Sequence, residues 1–231
     1  VNPFFSLAER GEVALKGKSK PVPTYTILGR RAQPKPVRGI QGLRSPLVGR
    51  AAEEATLQRL VAELRTGRGA ILSLIGEAGL GKSRLVAELR ARVLAETFLP
   101  EETGKGVTWL EGRCLSYTQQ VSYSAFIDVM HSALGIVETD NPFDVQVKLR
   151  RRIEELLPED AGEDILPYLA RFLNLPLSDP EAQRVAYLTG EALQRQILRA
   201  VTVFLEHLAR QRPLVLAFDD LHWADSASDF K

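Results

Sequence analysis

Over residues 51–65 the apolar positions Ala55, Leu57, Leu60, Val61 and Leu64 recur at helical spacing, with Glu53 and Glu54 in the first turn, where the helix dipole favours them. This pattern predicts an amphipathic helix, ended by Gly67 and Gly69. The period then changes: residues 70–75 form a continuous apolar run, too short for a helix and bounded by glycine, which predicts a strand buried on both faces. A second stripe, Leu85, Val86, Leu89, Val93 and Leu94, predicts a helix from about 82 to 98 that packs back on the sheet. Further strands are predicted at 107–112 and 214–218, and helices at 124–134, 142–157 and 180–210. Asn141 and Asp179 read as N-caps, each followed by a proline at the first helical position, where a missing N–H costs nothing. The last helical run is interrupted near Gly190. Strands alternating with helices predict an α/β fold with a parallel sheet.

The start of the chain follows a different pattern. Short β-rich runs at 13–15 and 25–28 are separated by Lys16, Gly17, Lys18, Ser19, Lys20, Pro21 and Pro23, and predict a small hairpin. Residues 31–46 hold Pro34, Lys35, Pro36, Arg38, Gly39, Gly42 and Arg44 with almost nothing to bury, and read as a solvated linker. The predicted organisation is thus a tail over 1–30, a linker over 31–46 and a main domain over 47–231.

Composition narrows the classes. A net charge of +1 offers no global field for nucleic acid or an anionic membrane, so partners must be inferred from sites. The single cysteine, Cys114, excludes an intramolecular disulfide and a cysteine cluster, and reads as a buried residue at a strand end. No apolar run approaches the roughly 20 residues that span a bilayer, and there is no signal-peptide pattern, so the chain reads as cytoplasmic. It opens on Val1 and closes on Lys231 just after an acidic strand end, and both ends read as cuts within a longer protein.

Chemistry concentrates between the predicted strand at 70–75 and the helix after it. Gly76, Glu77, Ala78, Gly79, Leu80, Gly81, Lys82 and Ser83 fit the phosphate-binding pattern in which two glycines flank four residues and precede lysine and a hydroxyl residue. Without bulky Cβ atoms at Gly76, Gly79 and Gly81, such a loop can wrap its N–H groups around phosphate oxygens at the positive end of a helix. Lys82 is placed to reach the β- and γ-phosphates, and the Ser83 hydroxyl to ligate magnesium. Asp219 ends an apolar strand, the position from which a carboxylate holds magnesium opposite Ser83. Asp220 follows as the candidate general base for an attacking water, although two such aspartates also suit a solvated turn. The candidate catalytic pair is therefore Asp220 and Lys82, with Ser83 and Asp219 at the metal. His222, Trp223 and Asp225 lie in the same loop. The three histidines His131, His207 and His222 share no metal-ligand spacing, so His222 reads as orienting the loop and Trp223 as packing.

Taken together, Val48, Gly49 and Arg50 before the first helix, the loop at 76–83 and the run Phe218, Asp219, Asp220, Leu221, His222, Trp223, Ala224, Asp225 resemble the signal-transduction ATPases with numerous domains, a branch of the AAA+-like P-loop NTPases. Gly112, Arg113, Cys114, Tyr123 and Phe126 fit the same resemblance, which covers residues 47–231. It implies ATP and Mg2+ as ligands, and a place for Val48, Gly49 and Arg50 near the adenine and ribose. Family members carry two further strands, a sensor polar residue and a winged-helix region after the acidic strand. Their absence here implies a P-loop NTPase parallel sheet flanked by helices but truncated, with the run at 70–75 lacking its usual hydrogen-bonding neighbours.

The first thirty residues separately resemble the C-terminal tail of class III nucleotide cyclases, through Leu15, Lys16, Gly17, Lys18, Pro21, Pro23 and Tyr25. In those enzymes the lysine at the position of Lys16 contacts substrate phosphates, but the cyclase's metal-binding aspartates are missing here, so the tail cannot cyclise ATP by itself. The implied parent is a multi-domain adenylate or guanylate cyclase protein, with a cyclase domain upstream and helical repeats downstream as partners. Four readings follow: a regulatory ATP switch, a nucleotide-binding module without turnover, a small-molecule P-loop kinase, and a share in the parent's cyclase activity. The loop from Asp220 to Asp225 speaks against the kinase.

Overall fold

The computed structural model describes residues 5–13, 22–30, 49–77, 79–97, 106–114 and 123–223. Contacts divide the chain into two units, one of 1–46 with the short turn 137–140, the other of 47–136 with 141–231.

In the first unit, strand β1 (Phe5–Val13) pairs antiparallel with β2 (Val22–Arg30), with register shifts between Ser6 and Leu7 and between Glu9 and Gly11. Strand β2 contains the run predicted at 25–28, whereas β1 precedes the run predicted at 13–15 and shares only Val13 with it; residues 14–21 lie outside those described. Side chains reinforce the ladder: Arg10 Nε donates to Thr26 Oγ1 at 2.8 Å, and Thr24 Oγ1 donates to the Gly11 carbonyl at 2.8 Å. The linker at 31–46 also falls outside the described residues.

The second unit is a layered α/β arrangement. Its helices are α1 (Ala51–Arg65), α2 (Lys82–Thr97), α3 (Ser124–Leu134), α4 (Pro142–Leu156), α5 (Glu159–Phe172), α6 (Asp179–Ala186) and α7 (Gly190–Gln211). Its strands are β3 (Thr108–Arg113) and β4 (Leu214–Asp219), which pair in parallel from Thr108↔Leu214 to Arg113↔Asp219. Helices α3 to α7 all lie in the crossover between them. Alternation along the strands gives each face its own core. Trp109, Val215 and Ala217 pack with Val61 of α1 and Val93 of α2, while Leu110, Leu214 and Phe218 pack with Val129 of α3 and Leu208 of α7. A larger helical core, centred on the fully buried Met130, Leu149, Leu169 and Phe204, joins α3, α4, α5 and α7. Among the described residues no helix is long and apolar enough to cross a membrane.

The predicted strand at 70–75 is not formed. Residues 68–77 carry no regular secondary structure, and Ile71 and Ile75 are 99% and 94% exposed. The sequence pattern is that of a buried strand, but a strand requires a neighbour to pair its N–H and C=O groups, and among the described residues no strand pairs with this run. The run at 180–210 is broken next to Gly190 as predicted, residues 187–189 separating α6 from α7. Two smaller differences concern helices: α6 is capped by Ser178 rather than Asp179, and α5 has no counterpart among the predicted elements.

Candidate functional site

The glycine loop and α2 form the centre of the site. Gly79 and Gly81 sit at φ +85° and +80°, the left-handed region, and a Cβ built on either meets nothing within 4 Å. Glycine is needed there for backbone conformation, not for space. Gly76 differs from the prediction: it has no positive φ, and a Cβ there would make an ordinary 3.4 Å contact with Leu80. Ala78, like Val48, Ala224 and Asp225, lies outside the described residues.

Lys82 is the first residue of α2. Its Nζ donates to the Gly76 carbonyl at 2.8 Å and the Glu77 carbonyl at 2.9 Å, holding the ammonium inside the curl of the loop. Five of the seven helices carry an acidic residue in the first turn, but α2 opens Lys82-Ser83-Arg84 and has none. Like α3, it therefore has no carboxylate of its own in the first turn to offset the positive end of the helix.

Ser83 and Asp219, 136 residues apart, are brought together: Ser83 Oγ donates to Asp219 Oδ1 at 3.2 Å. The same carboxylate oxygen accepts from the Asp220 N–H at 3.0 Å. This hydroxyl, where the glycine loop passes into α2, and this carboxylate, at the end of β4, are both oxygen ligands and fit a hard divalent cation such as magnesium. Asp220 stands at φ 58°, left-handed for a residue with a side chain, and its carbonyl accepts from Trp223 N at 2.9 Å to close the short 3-10 turn Leu221–Trp223. A non-glycine residue in that region at the end of β4 marks a position where local strain is retained. His222 meets the ring of Trp223 with centroids 5.0 Å apart.

The strand beside β4 supports this end of the sheet. Cys114 N donates to the Asp219 carbonyl at 3.2 Å, and Cys114 is buried, as its sequence context predicts. Phe126 of α3 packs on Phe218 with ring centroids 5.0 Å apart, and Tyr123, at φ 61°, accepts from Gln194 through its hydroxyl.

Sequence reasoning missed one contact. Arg50 Nη2 donates to the Leu80 carbonyl at 2.9 Å, and Arg50 Nη1 to Glu53 Oε1 at 2.6 Å. Arg50 and Glu53 line a cavity of about 200 Å³ together with Ile75, Gly76, Gly81 and Lys82. The arginine side chain is thus directed at the phosphate loop itself. An arginine in the N-cap position, where an acceptor is favoured, was the signal that could have revealed it.

The chain is 26% identical over 228 residues to Uncharacterized protein R02095 of Rhizobium meliloti (strain 1021), an alignment that covers 97% of this chain and 20% of that protein. The chain therefore spans about a fifth of the length of that relative. No solved structure matches it significantly. The sequence model of the AAA ATPase domain matches residues 46–229, which include the loop, Ser83, Asp219 and Asp220, and the chain therefore belongs to the AAA ATPase domain family of α/β P-loop proteins.

Proposed function

We propose that this chain is an ATP- and magnesium-binding regulatory NTPase module of a multi-domain signalling protein. The observation that carries the reading is the Ser83–Asp219 hydrogen bond, which brings a hydroxyl of the phosphate loop and a strand-end carboxylate within reach of one cation. In this reading Gly76, Glu77, Ala78, Gly79, Leu80 and Gly81 present the loop backbone to the phosphates, and Lys82 adds a point charge. Ser83 and Asp219 hold magnesium, which when bound neutralises charge on the phosphate oxygens. Asp220, next to Asp219 and in a strained backbone conformation, is the candidate base that orients water. Val48, Gly49 and Arg50 border the nucleotide on the α1 side.

The wider role, an ATP switch within a cyclase-type signalling protein, follows from the resemblances at residues 1–30 and 47–231. The relative, some five times the aligned length, leaves room for such additional domains. A second reading, binding without turnover, is favoured by one feature: among the described residues the Asp220 carboxylate makes no hydrogen bond that would fix its direction.

Titration calorimetry with ATP, with and without magnesium, tests the assignment. The wild type should bind ATP more tightly with magnesium, and Asp219→Asn should lose about 10-fold of that magnesium-dependent gain while keeping magnesium-free binding. An unchanged magnesium effect in Asp219→Asn would remove Asp219 from the metal site.

A further inference from the structure

Helix α1 begins differently from α4 and α6. At α4 the Asn141 side chain accepts from the N–H groups of Phe143 and Asp144 at 2.9 and 3.1 Å, and Ser178 heads a capping box at α6. The N-cap of α1 is Arg50, whose side chain can only donate and makes no cap bond. A favourable local interaction is absent, and the guanidinium is committed instead to Glu53 and to the Leu80 carbonyl, thirty residues further along the chain.

Leu80 lies between Gly79 and Gly81, the two positive-φ positions among the described residues of the loop. That stretch is the part of the loop least restricted by its own side chains, so a hydrogen bond from a charged donor fixes a carbonyl that local sterics leave free. Glu53, in the first turn of α1, fixes the direction of the donor. The Glu53 carboxyl is held below the usual carboxylate range, first by its hydrogen bond from Arg50 and then by its own backbone N–H. As an exposed ion pair the contact adds little to folding stability. Helices α3, α5 and α7 also lack a side-chain cap bond; what sets α1 apart is that its N-cap side chain reaches a carbonyl of the glycine loop.

We propose that Arg50 is a positioning residue that holds the phosphate loop in its binding shape, with Glu53 as its orienting partner, so that α1 and the loop order together when a polyphosphate binds. This rests on the reading of residues 76–83 as a phosphate site. It differs from a contact to adenine or ribose, because it acts on the loop and so on any polyphosphate.

The test measures binding of ATP and of inorganic tripolyphosphate to the wild type, Arg50→Ser and Glu53→Gln, with ligand-free melting of each and hydrogen exchange over α1. Arg50→Ser restores a capping residue, so its ligand-free melting temperature should equal or exceed that of the wild type, while both ligands weaken by the same factor, about fivefold. Glu53→Gln keeps the arginine's charge, yet it too should weaken both ligands and reduce the ATP-induced slowing of exchange at 51–65. Wild-type affinity in both variants would overturn the proposal. A loss confined to ATP would overturn it in favour of a base or ribose contact, and stronger binding in Glu53→Gln would overturn it in favour of a direct phosphate contact. A wild type that binds neither ligand would instead refute the phosphate site beneath it.

Discussion

At the scale of single residues, the site depends on positions where one atom decides the outcome. A Cβ added to Gly112 would lie 2.2 Å from the Ala125 carbonyl oxygen and 3.0 Å from a ring carbon of Phe218, so α3 and β4 approach β3 only because that position has no side chain. Neither neighbour is the far end of a flexible chain. Gly112→Ala should therefore cost about 3 kcal/mol or more in urea unfolding, the upper range for overpacking; a loss under 1 kcal/mol would show that α3 can shift without consequence. The glycine loop, Lys82, Ser83 and Asp219 stand out in the sequence as candidates because their chemistry is written as residue types at fixed spacing beside strand and helix patterns. The structure brings Ser83 and Asp219 into contact as that reading requires. The contact from Arg50 to Leu80 was not legible, because an arginine's reach across thirty residues is set by how α1 and α2 pack and not by local pattern.

Elements show the same division. Helices α1, α3 and α4 follow their apolar stripes, and α4 has the predicted Asn141 cap, now seen as a full capping box with Asp144. Helix α5 escaped notice because Pro158, Gly162 and Pro167 punctuate it, and proline inside a helix leaves the carbonyl four residues earlier without its donor. Tertiary structure supplies the remedy: the Glu163 carbonyl accepts from Arg184 Nη1 of α6 at 3.1 Å. At the start of α6, Glu181 accepts from Ser178 N at 2.8 Å and from Arg150 Nη2 of α4 at 2.5 Å while only 9% exposed. Burial pushes its carboxyl upward, but the hydrogen bonds from Ser178 and Arg150 together outweigh this and hold it below the usual value of 4.5. A carboxyl with a lowered folded pKa stabilises fully above the unfolded value and loses that contribution as pH falls below it. Glu181→Gln should therefore cost about 1–2 kcal/mol at pH 7 and make urea stability fall less steeply between pH 5 and 3 than in the wild type. An unchanged acid slope would deny Glu181 this role.

At the scale of the whole molecule, the parallel sheet of the second unit has two described strands and lacks the one predicted before the glycine loop. The apolar character of 70–75 was read correctly and its state was not, because strand formation is decided by a pairing partner elsewhere and not by the run itself. The phosphate loop thus joins an unpaired segment to α2, and its attachment to the rest of the unit runs through α2, the Ser83–Asp219 hydrogen bond and Arg50. These attachments bring the candidate residues together at one end of the parallel sheet. A ligand that binds only the folded state stabilises it by mass action, by about 2.7 kcal/mol at 100 times its Kd, which for a domain of this size is about 5–10 °C in Tm. The direct test is thermal melting with and without saturating ATP and magnesium, for the wild type and Lys82→Ala. A shift of that size is expected in the wild type and little or none in Lys82→Ala. An equal shift in both proteins, or none in either, would contradict it.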